Sequence, residues 1–203
     1  HPIHVEKPRF FDHQELPPGA PSAPESEEID WEKFEALAGD PKVVAIGECG
    51  LDYWKLDEKQ PDEASRLKEK QKEIFLKQLE IARTLGKPVA FHCRAAYDDL
   101  YEILKTQTGM KGVVHFFTGS YQAGKKFLEL GFFLAFPGVI TYARDYDKII
   151  RETPLEQLLI ETDSPYATPE PYRGQRNEPR YVKYVAQKIA EICDTTIEHV
   201  AST

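Results

Sequence analysis

The feature that most constrains this chain is a beat in its hydrophobicity: short, nearly continuous apolar runs alternate with longer stretches of helical period. The runs are "VVAIGE" (Val43 to Glu48), "PVAFH" (Pro88 to His92), "GVVHF" (Gly112 to Phe116), "FFLAF" (Phe132 to Phe136) and "LLIETD" (Leu158 to Asp163). Segments apolar at almost every position suit strands covered on both faces, as in a parallel sheet. Between the first two, Leu67, Ile74, Phe75, Leu79, Ala82 and Leu85 recur on one side of a helix over 62–85, which Gly86 ends. "AAYDDLYEILKT" and "SYQAGKKFLEL" fill the next two gaps, and Val182, Val185, Ala186, Ile189 and Ile192 mark a last amphipathic helix. Repeated β-α units predict an α/β fold with a parallel sheet and right-handed crossovers.

No glycine-rich phosphate fingerprint follows any of these strands, which weakens a nucleotide-binding doubly wound fold and favours a TIM-type (β/α) barrel. A full barrel has eight strands in about 250 residues; this chain of 203 residues shows five clear ones. With 41% hydrophobic and 30% charged residues it reads as a single domain over 1–203 with material for a sizeable core. The stretch Phe10 to Asp30, rich in Pro, Ser and acids, has neither period and reads as a long loop.

Composition excludes several classes. No apolar run approaches the roughly 20 residues of a membrane span, and no signal-peptide pattern opens the chain, so a cytoplasmic protein with no membrane partner is expected. Three cysteines, Cys49, Cys93 and Cys193, suit reduced thiols better than a disulfide framework. A net charge of −8 argues against a broad nucleic-acid-binding face. An anionic substrate would have to be met locally, by bound metal or a few arginines. No obligate protein partner is evident.

The chemistry concentrates at strand ends. Glu48 closes the first apolar run, His92 the second, His115 lies in the third and Asp163 closes the fifth. In a barrel these ends share the face on which active sites are built. Two imidazoles and two carboxylates make a mixed N/O set suited to Zn²⁺, Mn²⁺ or, where carboxylate and water dominate, Mg²⁺. Each residue alone has an ordinary reading: a satisfied structural histidine, a helix cap, a turn former before proline. It is their coincidence that points to a metal site. Gly47 and Gly50 allow close backbone approach around Glu48.

Cys49 and Cys93 follow Glu48 and His92 directly, and neighbours on a strand face opposite sides. They are expected to pack as small hydrophobes rather than act as nucleophiles. Arg94, two past His92, shares its face; it is either a clamp on an anionic group or a surface ion pair. "PYRGQRNEPRYV" holds Arg173, Arg176 and Arg180, the densest positive cluster, and its Asn177 has the look of a helix cap. Tyr53, Trp54 and Phe116 could stack on bases or simply pack at the rim.

Taken in order, "AIGECGLDY", "FHCRAAYDDL", "GVVHFFTGS", "LLIETDSPY" and "RGQRNEPRYV" resemble the TatD family of metal-dependent deoxyribonucleases, within the amidohydrolase-like barrel enzymes. The resemblance implies a (β/α)-barrel binding two divalent ions (Mg, Mn or Zn) and hydrolysing DNA phosphodiester bonds, commonly from the 3′ end of single strands. By the family's pattern Glu48 bridges the two metals, His92 and His115 complete one shell, and Asp163 binds the other metal and orients the attacking water. Arg94 matches a position near the substrate phosphate, and the cluster containing Arg176 tilts the reading toward nucleic acid. The family's opening His-x-His strand has no counterpart here, and His1-Pro2 matches a stretch ending the family's third strand. The chain is therefore expected to be an N-terminally incomplete portion of a longer protein, with 10–30 a candidate lid. The rival readings are an amidohydrolase-type enzyme acting on small amides, lactones or phosphoesters, and a non-catalytic scaffold that kept the fold.

Overall fold

The computed structural model describes residues 1–2, 29–54, 56 and 59–203. The long loop and candidate lid expected over 10–30 lie, but for the last two residues, outside them. The chain divides into two compact units, 1–112 and 113–203. All strand pairings described in either unit are parallel, as the apolar runs predict.

In the first unit, helix α1 (Trp31–Ala38) is followed by strand β1 (Ile46–Asp52), helix α2 (Pro61–Thr84), strand β2 (Val89–Arg94) and helix α3 (Tyr97–Leu104). α2 carries its own signals. Proline at its start loses no hydrogen bond there, Asp62 and Glu63 face the positive end of the helix dipole, and Arg83 faces the negative end. The chain leaves it through two reversed bonds, Gly86 N to Arg83 O at 3.1 Å and Lys87 N to Ala82 O at 2.9 Å. The apolar side of α2, Leu67, Ile74, Phe75, Leu79 and Ala82, is buried. Phe75 meets Phe91 of β2 edge to face at 6.1 Å. Each large side chain fully buried in this way contributes about 1.5–3 kcal/mol.

In the second unit, strand β3 (Gly112–Val114) begins at the boundary, and helix α4 (Tyr121–Glu129), strand β4 (Phe133–Phe136), helix α5 (Asp147–Glu152), strand β5 (Leu158–Ile160) and helices α6 (Val182–Ile192) and α7 (Ile197–Ser202) follow. β4 pairs with β3 on one side and β5 on the other. Ser120 caps α4 by accepting from Ala123 N at 3.2 Å. The core gathers Phe117, Phe127, Phe136, Ile140, Val185 and Ile189, all fully buried. Among the described residues, no helix is long and apolar enough to cross a membrane.

Two differences from the sequence reading concern function. β1 starts and ends later than its apolar run, so Glu48 lies inside the strand and not at its end. α1, α5 and α7 were not expected from periodicity, because six to eight residues give hardly two turns over which a period can show.

β1 and β2 run unusually close at Gly50. Its φ is +148°, and a Cβ there would lie 2.0 Å from the His92 carbonyl oxygen. Gly50→Ala is expected to cost about 2 kcal/mol or more from backbone strain and overpacking together. A fall in the urea midpoint with an unchanged slope checks this.

Candidate active site

The first unit builds a candidate site of its own by pairing β1 with β2. Ile46 is opposite Val89, but Cys49 is opposite Phe91, so three steps along β1 match two along β2: a bulge with one extra residue. Beyond it Gly50 faces His92 and Asp52 faces Arg94. Side chains alternate along a strand, so Glu48, Gly50 and Asp52 share the face that carries His92 and Arg94. Glycine opposite His92 leaves the space over that position clear of a side chain. Gly47, just before Glu48, is also tight: a Cβ on it would sit 2.8 Å from Ala90 Cβ.

The His92 ring is consequently held between two carboxylates. Its Nδ1 lies 2.6 Å from Glu48 Oε1 and its Nε2 lies 3.0 Å from Asp52 Oδ2. His1 Nε2 approaches the same group, 3.1 Å from His92 Nδ1 and 3.4 Å from Glu48 Oε1. His1, Asp52 and His92 each place a donor atom within 4.8 Å of the others, but the Asp52 oxygens are already taken up by hydrogen bonds from His92, Arg94 and Trp54. Burial opposes charge on His92, but hydrogen bonds to Asp52 and Glu48 outweigh it and raise its pKa above the ordinary histidine value. Burial likewise opposes ionisation of Asp52, and the His92 and Arg94 hydrogen bonds outweigh that, holding its carboxyl below the usual range.

Asp52 was not among the residues singled out from sequence. It is 4% exposed, and its Oδ2 also accepts from Arg94 Nε at 3.0 Å and Nη2 at 2.6 Å. Arg94 is therefore ion-paired within the chain, with 45% of its side chain still open to solvent. Cys49 and Cys93 are buried on the opposite face. Burial pushes the Cys49 thiol up to about 12 and raises that of Cys93 as well, so neither supplies a thiolate near neutral pH.

Past Asp52 the chain is pinned to both helices. The Tyr53 hydroxyl donates to Asp99 Oδ2 at 2.8 Å, and Lys72 Nζ lies 2.9 Å from the same oxygen. Burial opposes ionisation of Asp99, yet Lys72 and Tyr53 together hold its carboxyl below the usual range. Trp54 next to it is 66% exposed.

The second unit presents His115, Asp163 and Arg176 from three different segments. His115 directly follows β3, and its Nδ1 lies 3.3 Å from Glu161 Oε2. Glu161, also missed from sequence, accepts from Phe116 N through its other oxygen at 2.6 Å. Asp163 stands three residues past β5 in a left-handed conformation, φ +54°. Ala95 and Phe116 share that geometry at φ +55° and +45°. Left-handed non-glycine residues are uncommon and cluster where function holds a backbone in place.

The Asp163 turn is held from below by Asn177, which is buried at 2% exposure. Its Nδ2 donates to Thr162 O at 2.8 Å and Tyr166 O at 2.5 Å, and its backbone N donates to Pro165 O at 3.0 Å. This corrects the helix-cap reading: the turn Pro179–Tyr181 has no side-chain cap, and Asn177 ties down the Asp163 loop instead. Arg176 is exposed; Arg173 stacks over the Tyr142 ring at 4.0 Å, and Arg180 pairs with Glu178 at 2.6 Å.

The whole chain, residues 1–203, matches the family described as TatD related DNase. The chain belongs to this family of metal-dependent hydrolases. It is 42% identical over 181 residues to a Bacillus subtilis protein named "Uncharacterized metal-dependent hydrolase YabD", covering 87% of this chain and 67% of that one. A Klebsiella pneumoniae relative named "3'-5' ssDNA/RNA exonuclease TatD" is 34% identical, covering 78% of this chain and 61% of the relative. Among solved structures, the Escherichia coli TatD homolog YJJV superposes with a TM-score of 0.73 at 32% identity, covering 84% of this chain and 65% of that one. The chain thus spans about two thirds of the length of these relatives. Its α/β fold of parallel strands falls in the TIM-type barrel class of its TatD neighbours.

Two outcomes check this geometry. Asn177→Ala removes the side-chain donor to the Thr162 and Tyr166 carbonyls and is expected to destabilise by about 2–3 kcal/mol, with faster amide exchange confined first to 162–166. The lowered Asp99 pKa gives stability that is present above its ordinary value of 3.8 and is lost as pH falls through the lower folded value. Urea midpoints of the native protein and Asp99→Asn should therefore differ at about pH 7 and converge as the pH falls below 3.8 and through the lower folded value.

Proposed function

We propose that the protein is a metal-dependent nuclease that hydrolyses phosphodiester bonds in DNA, working from the 3′ end of single strands. The observation that carries the reading is the Glu48–His92 pair, a carboxylate oxygen and an imidazole nitrogen brought to 2.6 Å on one strand face. Such an N/O donor pair fits Zn²⁺ or Mn²⁺ and accommodates Mg²⁺. The relative named as a single-strand exonuclease supports the substrate class.

In this reading Glu48, His92, His115 and Asp163 are the residues that would hold two divalent ions, with Glu48 serving both. Divalent ions at such a site neutralise phosphate charge and make water a competent nucleophile near neutral pH. Asp163 would take the proton of the attacking water from a left-handed turn whose neighbouring carbonyls, Thr162 O and Tyr166 O, accept from Asn177. Arg94 retains donors beyond those given to Asp52 and contacts a phosphate oxygen, while exposed Arg176 meets the flanking backbone. A cytoplasmic location belongs to the same reading, supported by three thiols outside any disulfide.

The test uses the full-length protein with Mg²⁺ or Mn²⁺ and a single strand labelled for release of 3′ nucleotides. Release is expected, with EDTA abolishing it and Glu48→Ala lowering kcat by about 100-fold or more. Undiminished release by Glu48→Ala sinks the bridging role.

A further inference from the structure

Asp52 is fully committed before any ion arrives. Its Oδ2 accepts from His92 Nε2 at 3.0 Å and from Arg94 Nε and Nη2 at 3.0 and 2.6 Å, and its Oδ1 accepts from Trp54 N at 3.1 Å. A carboxylate 4% exposed with both oxygens occupied has little capacity left to ligate a metal. What it can do is fix the ring of His92, which then presents its other nitrogen, Nδ1, toward Glu48 at 2.6 Å. Metal-binding imidazoles generally need such a partner: the hydrogen bond on one nitrogen sets the tautomer and the ring plane for the other.

Asp52 is itself held through its backbone by an unusual device. Gln71 of α2, buried at 5% exposure, accepts from Asp52 N through Oε1 at 2.8 Å and donates from Nε2 to Asp52 O at 2.9 Å. The side-chain amide thus replaces a strand neighbour at the end of β1, satisfying the peptide groups on both sides of the Asp52 Cα. A buried amide without partners would carry the desolvation cost of every unmet group. Here both groups are met, and α2 sets the depth at which Asp52 enters the site.

We infer that Asp52, locked by Gln71, is a positioning residue that orients His92 for metal binding and docks Arg94 beside it. This rests on the metal-dependent reading above and deepens it: one carboxylate couples a metal-facing imidazole to a phosphate-facing guanidinium. Loss of Asp52 would disturb both at once without removing any ligand.

The test is a calorimetric titration of the metal-stripped, full-length protein with Mn²⁺, together with proton–nitrogen NMR of the His92 ring in the Zn²⁺-loaded form. The His92 signals are assigned by their disappearance in His92→Gln. The native protein is expected to show a downfield, slowly exchanging Nε2–H. Asp52→Asn, nearly isosteric, should lose that signal and bind Mn²⁺ about 10- to 100-fold more weakly while keeping its near-ultraviolet circular dichroism. Gln71→Met, which leaves the carboxylate in place, should weaken Mn²⁺ binding about threefold or more and speed exchange of the same proton; it also serves if Asp52→Asn does not fold. Native affinity and an unshifted, slowly exchanging Nε2–H in the folded variants would overturn the proposal. Glu48→Ala in the same titration separates the two readings. A fall in Glu48→Ala with no change in Asp52→Asn sinks the positioning role alone, and no change in Glu48→Ala overturns the metal site with it.

Discussion

An imidazole between two carboxylates is the contact on which the first half of this structure depends. His92 can touch Glu48 and Asp52 together only because the two acids lie four residues apart on one strand with a glycine between them. Any larger residue at position 50 would collide with the His92 backbone. The bulge before it supplies the register shift, so that a strand otherwise buried turns two carboxylates, with a glycine between them, toward its partner's histidine. Charges placed this deep are tolerated because they are paired and hydrogen-bonded; removing one partner leaves the other buried and exposed to the full desolvation cost.

The two units solve a similar problem with similar means. Each sets a carboxylate against a candidate histidine ligand, Asp52 against His92 and Glu161 against His115. Each also uses a buried side-chain amide to hold the backbone near an acid, Gln71 at Asp52 and Asn177 around Asp163. An amide is well suited to this: it carries both donor and acceptor, bears no charge, and can stand in for a missing peptide neighbour. Rigid backbone around acidic groups matters in a hydrolase, because a carboxylate displaced by a fraction of an ångström changes which proton or ion it meets.

Much of this was legible in the sequence. The α/β beat predicted parallel strands and the long helices, since burial on both faces writes itself as continuous apolar runs and burial on one face as a helical period. Glu48, His92, His115 and Asp163 stood out because polar groups interrupt or end those runs. Asp52 did not stand out, for a specific reason. The apolar run stops at Ile46, so the strand was expected to end at Glu48; continued to Asp52, the alternation Glu48, Gly50, Asp52 would have marked it as a residue on the same face. Glu161 was hidden by its neighbour, because two acids in "ETD" look equivalent until the chain's turn past β5 sends them to different partners. Asn177 was misread for a related reason: an Asn before Glu-Pro has the local pattern of a cap, and only the packing beneath the Asp163 loop gives it another use.

What the sequence determined by itself is therefore the class of fold, the order of its main elements and several candidate metal-ligating side chains, because these depend on period, composition and the chemistry of single side chains. Which acid orients which histidine, that Arg94 docks on Asp52, and that Gln71 and Asn177 serve as backbone partners were decided only by tertiary structure. Those pairings join residues 11 to 46 positions apart through distances of about 3 Å. Nothing in local pattern specifies such distances; a bulge, a glycine without a side chain and the depth of one helix do.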